Sequence, residues 1–155
     1  MKKFFKFLIW LIVVLYTAFI FSNSLMDGAE SGNFSYRVAN YLANFLNNHG
    51  IYFYMSTFHA YLRKLAHFTE FFGLGFLTAI AIVTCPLFKS RLLNFLLFII
   101  AIPCADETIQ YFVPGRACSI KDMIIDFSGM LCGGFCVYVC YLIIKDLFFR
   151  QPRKN

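Results

Sequence analysis

Four long apolar stretches alternate with shorter polar segments along the chain. They run from about residue 4 to 21, 66 to 84, 92 to 113 and 122 to 144. An α-helix needs roughly 20 mostly apolar residues to cross the hydrocarbon core of a bilayer, and each stretch comes close to that length. The pattern predicts an all-α, polytopic membrane protein, a bundle of four transmembrane helices forming one domain over residues 1–155.

The first stretch follows Met1, Lys2 and Lys3, so a cleavable signal peptide is the alternative to a retained anchor. Its apolar run exceeds the roughly 7 to 15 residues of a secretory h-region, and no small-x-small cleavage site follows it. We therefore expect a retained membrane anchor.

The longest polar segment, residues 22–62, separates the first two stretches. Its opening, residues 22–32, is rich in small and polar residues and predicts irregular chain. Beyond it, apolar residues recur at the helical period: Phe34, Val38, Tyr41, Leu42 and Phe45. This spacing predicts an amphipathic helix lying on the outer membrane interface.

Composition supports this interpretation and excludes a small water-soluble domain. The chain is 60% hydrophobic with a mean hydropathy of +0.67 and a net charge of +6. With the N-terminus in the cytoplasm, nine of the fourteen basic residues fall on the inner side: Lys2, Lys3, Lys6, Lys89, Arg91, Lys145, Arg150, Arg153 and Lys154. This is the positive-inside pattern, so the charge reports topology with both termini inside and does not indicate nucleic-acid binding.

Polar residues cluster where three of the apolar stretches meet the outer side. They are Arg63, Lys64, His67 and Glu70; then Asp106, Glu107 and Gln110; then Arg116, Asp122 and Asp126. A charge at the centre of a bilayer costs about 2.5 to 3.5 kcal/mol on insertion scales, so ionisable groups in a span indicate a functional site. At ~1.5 Å per residue all three groups fall in the outer half of the bilayer. Together with Lys121 they predict a water-accessible polar cup open to the outside.

Two features suggest how the cup is assembled. Gly129 and Gly133 share a helix face with Asp122 and Asp126, and a GxxxG pair lets another helix approach closely, so this acidic face is expected to look inward. The sequence Pro114-Gly115 is strong turn chemistry and predicts an antiparallel hairpin of the last two spans, with Arg116 near its tip.

The chemistry of the cup remains open among four alternatives. The cations could simply neutralise the carboxylates as staples between helices. Arg63, Lys64 and Arg116 could bind a phosphate or carboxylate head group. His67 with Glu70 and a carboxylate from Asp106, Glu107 or Asp122 could hold a divalent metal, or His67 beside a carboxylate could act as a general base.

Candidate roles follow from these residue types. The candidate catalytic residues are His67, Glu70, Asp106, Glu107 and Asp122, and the candidate ligand-binding residues are Arg63, Lys64, Gln110, Arg116 and Asp126. The six cysteines form no CxxC pair and no zinc spacing, and Cys118 is expected to be exposed outside. The sequence therefore assigns no dedicated metal-ligand set and identifies no cofactor.

The three clusters form the motifs RKxxHxxE, DExxQxFxPGR and DxxxDxxG, in this order, at residues 63–70, 106–116 and 122–129. With them, over about residues 21–134, the chain resembles the VanZ-like family of bacterial membrane proteins. The resemblance implies a small multi-spanning protein of the cell envelope in the bacterial plasma membrane. The family's namesake raises resistance to teicoplanin, a glycopeptide with a lipid tail, but the resemblance implies no particular reaction.

These considerations favour a protein that binds an amphiphilic or lipid-linked anion at the outer leaflet, such as a wall precursor or a lipoglycopeptide. The alternative is a membrane-embedded hydrolase or transferase acting on a lipid-linked head group, with or without a metal ion. A transporter ranks behind both, because four spans without inverted repeats offer little for alternating access.

Overall fold

The structure is a computed structural model that describes residues 2–149. Within that range it contains five helices and no strands: α1 (Lys2–Ser24), α2 (Gly28–Asn47), α3 (Met55–Thr84), α4 (Arg91–Tyr111) and α5 (Ile120–Phe149). The all-α prediction is confirmed. Three of the basic residues assigned to the inner side, Arg150, Arg153 and Lys154, lie outside the described residues.

Four of the helices, α1, α3, α4 and α5, are long and apolar enough to cross a membrane. The four-span prediction is therefore confirmed, with one boundary that differs clearly. Helix α3 begins at Met55, well before the apolar run that starts at Ala66. Hydropathy marks only the apolar part of a helix, and the preceding polar turns continue it without a break.

The segment between α1 and α2 is much shorter than predicted. Helix α1 continues to Ser24 and α2 begins at Gly28, so the expectation of irregular chain over residues 22–32 is wrong. Asp27 caps α2 by accepting a hydrogen bond from the amide of Ala29 at 2.8 Å, and Glu30 lies in the first turn, where an anion is favoured. The predicted helical period after Asn33 is confirmed, whereas the location of α2 at the membrane interface stays a prediction.

Helices α3 and α5 approach each other closely because glycines line their contact. A Cβ at Gly75 would collide with the backbone of Met130, and one at Gly133 would collide with the backbone of Phe72. Gly129 lies in the same way against α3, so the predicted close approach at the GxxxG pair is confirmed. The face of α5 that carries Asp126 therefore looks toward α3.

The apolar core lies between α1, α3, α4 and α5. Its buried members are Val13, Ile20, Phe71, Leu74, Ala81, Ile99, Ile102 and Met130. Many other large apolar side chains of the spans are exposed, as expected for surfaces that face lipid tails.

The predicted turn between α4 and α5 packs against the start of α2. Gly115 has a φ of +72°, which the absence of a side chain permits. The carbonyl of Pro114 accepts a hydrogen bond from the amide of Gly28 at 3.0 Å, and a Cβ at Gly28 would collide with Gly115. This contact holds Arg116 beside the end of α1.

Candidate functional site

Side chains from three helices meet at one end of the bundle, where α1 and α4 finish and where α3 and α5 carry their motif residues. This end is here called the motif end. His67 of α3, Asp106 of α4 and Asp126 of α5 each offer one possible ligand atom, and these atoms all lie within 4.8 Å of one another. The three sequence motifs thus contribute one residue each to a single cluster, here called the His–Asp cluster.

Asp126 and His67 form the central contact of this cluster. The Nδ1 atom of His67 lies 3.3 Å from Oδ1 of Asp126, whose side chain is 0% exposed. Both carboxylate oxygens of Asp126 and the Nδ1 atom of His67 are buried. None of the three has a hydrogen-bond partner within residues 2–149. Buried polar atoms without partners are rare, so the cluster needs an explanation beyond packing.

Asp106 is held very differently, in a closed network of hydrogen bonds. The hydroxyl of Ser24 donates to its Oδ1 at 2.6 Å, and the amide of Gln110 donates to its Oδ2 at 2.7 Å. Gln110 also donates to Ser24 at 3.3 Å. All three side chains are buried, so the orientation of the Asp106 carboxylate is fixed by α1 and α4.

Of the remaining candidate acidic residues, one lines the cavity beside the cluster and two do not. Glu70 is half-buried and accepts a hydrogen bond from the amide of Asn23 at 3.2 Å. Glu107 is buried, and its Oε2 accepts from the backbone amide of Ser119 at 2.7 Å while Oε1 has no partner among the described residues. Asp122 lies half-buried in the first turn of α5. Unlike Glu70, neither Glu107 nor Asp122 lines the cavity described next.

A cavity of about 440 Å³ opens beside the His–Asp cluster. Its polar lining consists of Asn23, Ser24, Ser31, Ser35, Arg63, His67, Glu70 and Arg116. Its apolar lining comes from α1, α2 and the N-terminal half of α3, and it includes Phe19, Phe34, Val38 and Leu62. The cavity therefore combines charged and polar residues with an apolar wall, and α2 supplies much of that wall.

The two arginines of the cavity are not engaged by acids. No carboxylate of residues 2–149 lies within 4.0 Å of Arg63 or Arg116. Arg116 instead donates to the backbone carbonyls of Met26 at 2.9 Å and Asn23 at 2.7 Å. Burial, and next the charge of Arg63, lower the pKa of the Arg116 guanidinium from its ordinary value. The alternative in which these cations staple the helices by ion pairs is thus not what the described residues show.

The two lysines predicted for the cup lie elsewhere. Lys64 is exposed and lines a separate shallow groove with Ser56, Thr57 and Tyr61. Lys121 is exposed at the start of α5. One position along a helix is a rotation of 100°, which is enough to turn Lys64 away from the face that Arg63 shares with His67.

Sequence reasoning missed the parts of the site that come from α1. Ser24 and Asn23 hold Asp106 and Glu70, although neither was assigned a role. The sequence contains one indication that they belong to the site, their depth in the membrane. Both residues lie at the end of the first span, at the level of the three motifs. Hydroxyl and amide groups are too common at helix ends to be assigned to a site on that ground alone.

Comparison with known proteins agrees with the motifs. No curated protein and no solved structure is significantly similar to the chain. The VanZ/LLP1 family profile, by contrast, matches residues 7–144, a stretch that contains all four candidate spans except the ends of the first and last. The chain therefore belongs to the VanZ/LLP1 family.

Proposed function

We propose that this protein binds an amphiphilic anion in the cavity at the motif end, with the head group on Arg63 and Arg116. The observation that carries the proposal is the pair of arginines without carboxylate partners in residues 2–149. A cation removed from bulk water without a counter-charge is unfavourable, and an anionic ligand would offset that cost. Guanidinium groups also offer a fork that matches phosphate and carboxylate oxygens.

The wall of the cavity supports an amphiphile over a small soluble anion. Phe19, Phe34 and Val38 line it, and all three remain well exposed at its rim. An acyl or prenyl chain laid against these side chains would cover apolar surface while its head group reached the arginines. Phosphate-linked wall precursors and lipoglycopeptides share this chemistry.

Membership of the VanZ/LLP1 family connects the proposal to the cell envelope. We place the protein in the bacterial plasma membrane with both termini in the cytoplasm, so that the cavity opens to the outer leaflet. Capture of lipid-tailed molecules there would account for a role in teicoplanin susceptibility, which the family name suggests.

Binding to the purified full chain in detergent tests this function. We expect a polyprenyl phosphate to raise the melting temperature, whereas the uncharged polyprenol, which has the same tail, leaves it unchanged. Teicoplanin, compared with a glycopeptide without a lipid tail, tests the second source of the same chemistry. Arg63→Ala should weaken binding by about tenfold or more, because hydrogen bonds to charged groups contribute about 1.5 to 3 kcal/mol.

Lys64→Ala is the matched control, since Lys64 is adjacent in sequence but faces another groove. It should bind as the unmodified protein does. Equal binding of polyprenol and polyprenyl phosphate, or equal losses in Arg63→Ala and Lys64→Ala, would contradict an anion site on Arg63.

A second candidate function is hydrolysis or transfer of a lipid-linked head group. The contact between His67 and Asp126 favours it, because a carboxylate that orients an imidazole is the usual support of a general base. His67 is 20% exposed and lines the cavity, so the imidazole has access to a bound molecule. Release of phosphate or pyrophosphate from a polyprenyl substrate, absent in His67→Gln, would support turnover; binding without product would favour recognition alone.

A further inference from the structure

We propose that His67, Asp106 and Asp126 bind one divalent transition-metal ion, of the zinc or manganese kind, beside the cavity that His67 lines. Imidazole together with carboxylates is a donor set that suits such ions. The ion site rests on the His–Asp cluster alone and does not depend on the proposed lipid ligand.

The spacing of the cluster fits an ion better than it fits a direct hydrogen bond. A charge-assisted N–H···O bond is about 2.7 to 2.9 Å long, whereas Nδ1 of His67 and Oδ1 of Asp126 are 3.3 Å apart. Two ligand atoms that each lie about 2.1 Å from a tetrahedral ion are about 3.4 Å from each other. The limit of 4.8 Å that includes Asp106 leaves only a small inward movement to complete three ligands.

Unpartnered oxygen atoms give an independent indication of a ligand. Asp126 is wholly buried, and within residues 2–149 neither of its oxygens accepts a hydrogen bond. An isolated buried carboxylate is strongly unfavourable. Asp126 points toward His67 across the gap that an ion would fill, so coordination would satisfy both side chains at once.

The surroundings of Asp106 are those of an oriented metal ligand. Ser24 and Gln110 each donate to one of its oxygens, which leaves a further lone pair on each oxygen. Such hydrogen bonds to a ligating carboxylate fix its direction and are a regular part of metal sites. A divalent ion would also balance the two buried acids, to which no lysine or arginine of the described chain lies within 4.0 Å.

Three protein ligands leave at least one coordination position open. Because His67 lines the cavity, that position faces the space between the cluster and the arginines. A bound phosphate or carboxylate could then contact both the ion and Arg63, and this last step alone rests on the proposed function.

Metal analysis of the full chain, purified in detergent through a tag without histidine, tests the site. Mass spectrometry of the elements should find about one zinc or manganese ion per chain. Loss of a hydrogen-bonding neighbour of a ligand already lowers metal affinity by about 10- to 100-fold, so His67→Ala and Asp126→Leu should lower the metal content by at least about tenfold. Asp122→Leu, the same change one turn earlier in α5, should retain the metal.

A second measurement decides the matter if Asp126→Leu does not fold. The unmodified protein is stripped with a chelator and titrated with Co²⁺, whose visible absorption reports the ligand geometry. A band that saturates at one equivalent, and that Zn²⁺ removes, supports the site. Metal-free purified protein that gives no band with Co²⁺ overturns it, as does full metal content in both His67→Ala and Asp126→Leu. Retained metal in Arg63→Ala with lost lipid binding would separate the ion site from the anion site.

Discussion

Two buried polar side chains, at opposite ends of the bundle, show how differently this fold treats such groups. Asn94, near the start of α4, is 0% exposed and has every hydrogen-bonding position filled. Its oxygen accepts from the amides of Leu87 and Phe88, and its amide donates to the carbonyls of Phe88 and Ser90. Asp126, at the motif end, is equally buried but has no hydrogen-bond partner in the described part of the chain.

This difference is the one we expect between a structural polar group and one that binds a ligand. Asn94 makes the hydrogen bonds that the backbone of the short loop between α3 and α4 would otherwise make to water. It therefore needs no partner from outside the chain. Within residues 2–149, the oxygens of Asp126 have no hydrogen-bond partner and the two arginines of the cavity have no acidic partner. The ion and the anion that we propose would supply these missing partners. Burial alone would not have distinguished the two residues; their hydrogen bonds do.

Replacing the amide of Asn94 by a carboxylate and the carboxylate of Asp126 by an amide should therefore have opposite effects on the stability of the fold. Asn94→Asp should be severely destabilising, because it replaces the Nδ2 group, with both its donors, by a carboxylate oxygen that faces the carbonyls of Phe88 and Ser90, at present 2.8 and 2.6 Å away. Each unsatisfied buried group costs about 1 to 3 kcal/mol, which gives about 2 to 6 kcal/mol in all. Thermal unfolding in detergent measures the change.

Asn40→Asp is the control for that experiment, since Asn40 is exposed on α2. A surface substitution of this kind should stay within about 0.5 kcal/mol. If the two variants melt at the same temperature, the network around Asn94 does not stabilise the fold, and the contrast between the two ends fails.

Arg116 tests whether a residue at the motif end can serve both roles. Arg116→Ala should lower the free energy of unfolding by about 1.5 to 3 kcal/mol, because two charge-assisted bonds to the carbonyls at the end of α1 are lost. Arg116→Lys should recover only part of this, since an ammonium group cannot reproduce the fork. Arg63→Ala, which removes no hydrogen bond within the described chain, should be less destabilising; an equal or larger loss would show that Arg63 is structural.

Asp126→Asn should have a smaller effect on stability than either change. With chelator present, its free energy of unfolding should equal that of the unmodified protein or exceed it by up to about 1 kcal/mol, because no hydrogen bond is lost and burying a neutral amide is less unfavourable than burying an anion. Binding of polyprenyl phosphate or teicoplanin should nevertheless fall. Strong destabilisation without a change in binding would place Asp126 in the same class as Asn94.

The parts of this molecule that sequence could predict are those with a one-dimensional pattern. Hydropathy gives the four spans, and depth along them brings His67 and Asp106 to one level. The helical step separates Lys64 from the face of Arg63 and His67. Which face of α3 lines the cavity depends on where α2 folds back, and no local pattern encodes that. The partners of Asn94 and the role of Ser24 depend on contacts between segments far apart in sequence, so they required the structure.

Cysteine labelling tests which end faces outward. Cys118 is exposed in the turn after α4, whereas Cys85 lies half-buried at the opposite end, where its carbonyl accepts from the indole of Trp10. A membrane-impermeant maleimide should label Cys118 in intact cells and reach Cys85 only after permeabilisation, with Cys118→Ser as the control. Labelling of Cys118 only in permeabilised cells would place the cavity on the cytoplasmic side.

The rate at which Cys118 reacts with the maleimide tests the smallest expected effect, that of a single neighbouring carboxylate on one thiol. Desolvation, and next the neighbouring carboxylate of Glu107, raise the pKa of the Cys118 thiol. Because the thiolate is the reactive form, a raised pKa leaves less of it at neutral pH, so Cys118 should react more slowly than a free thiol and speed up as the pH rises. Glu107→Gln keeps an oxygen for the amide of Ser119 but removes the charge, and it should accelerate labelling at pH 7. An unchanged rate would mean that Glu107 does not act on Cys118.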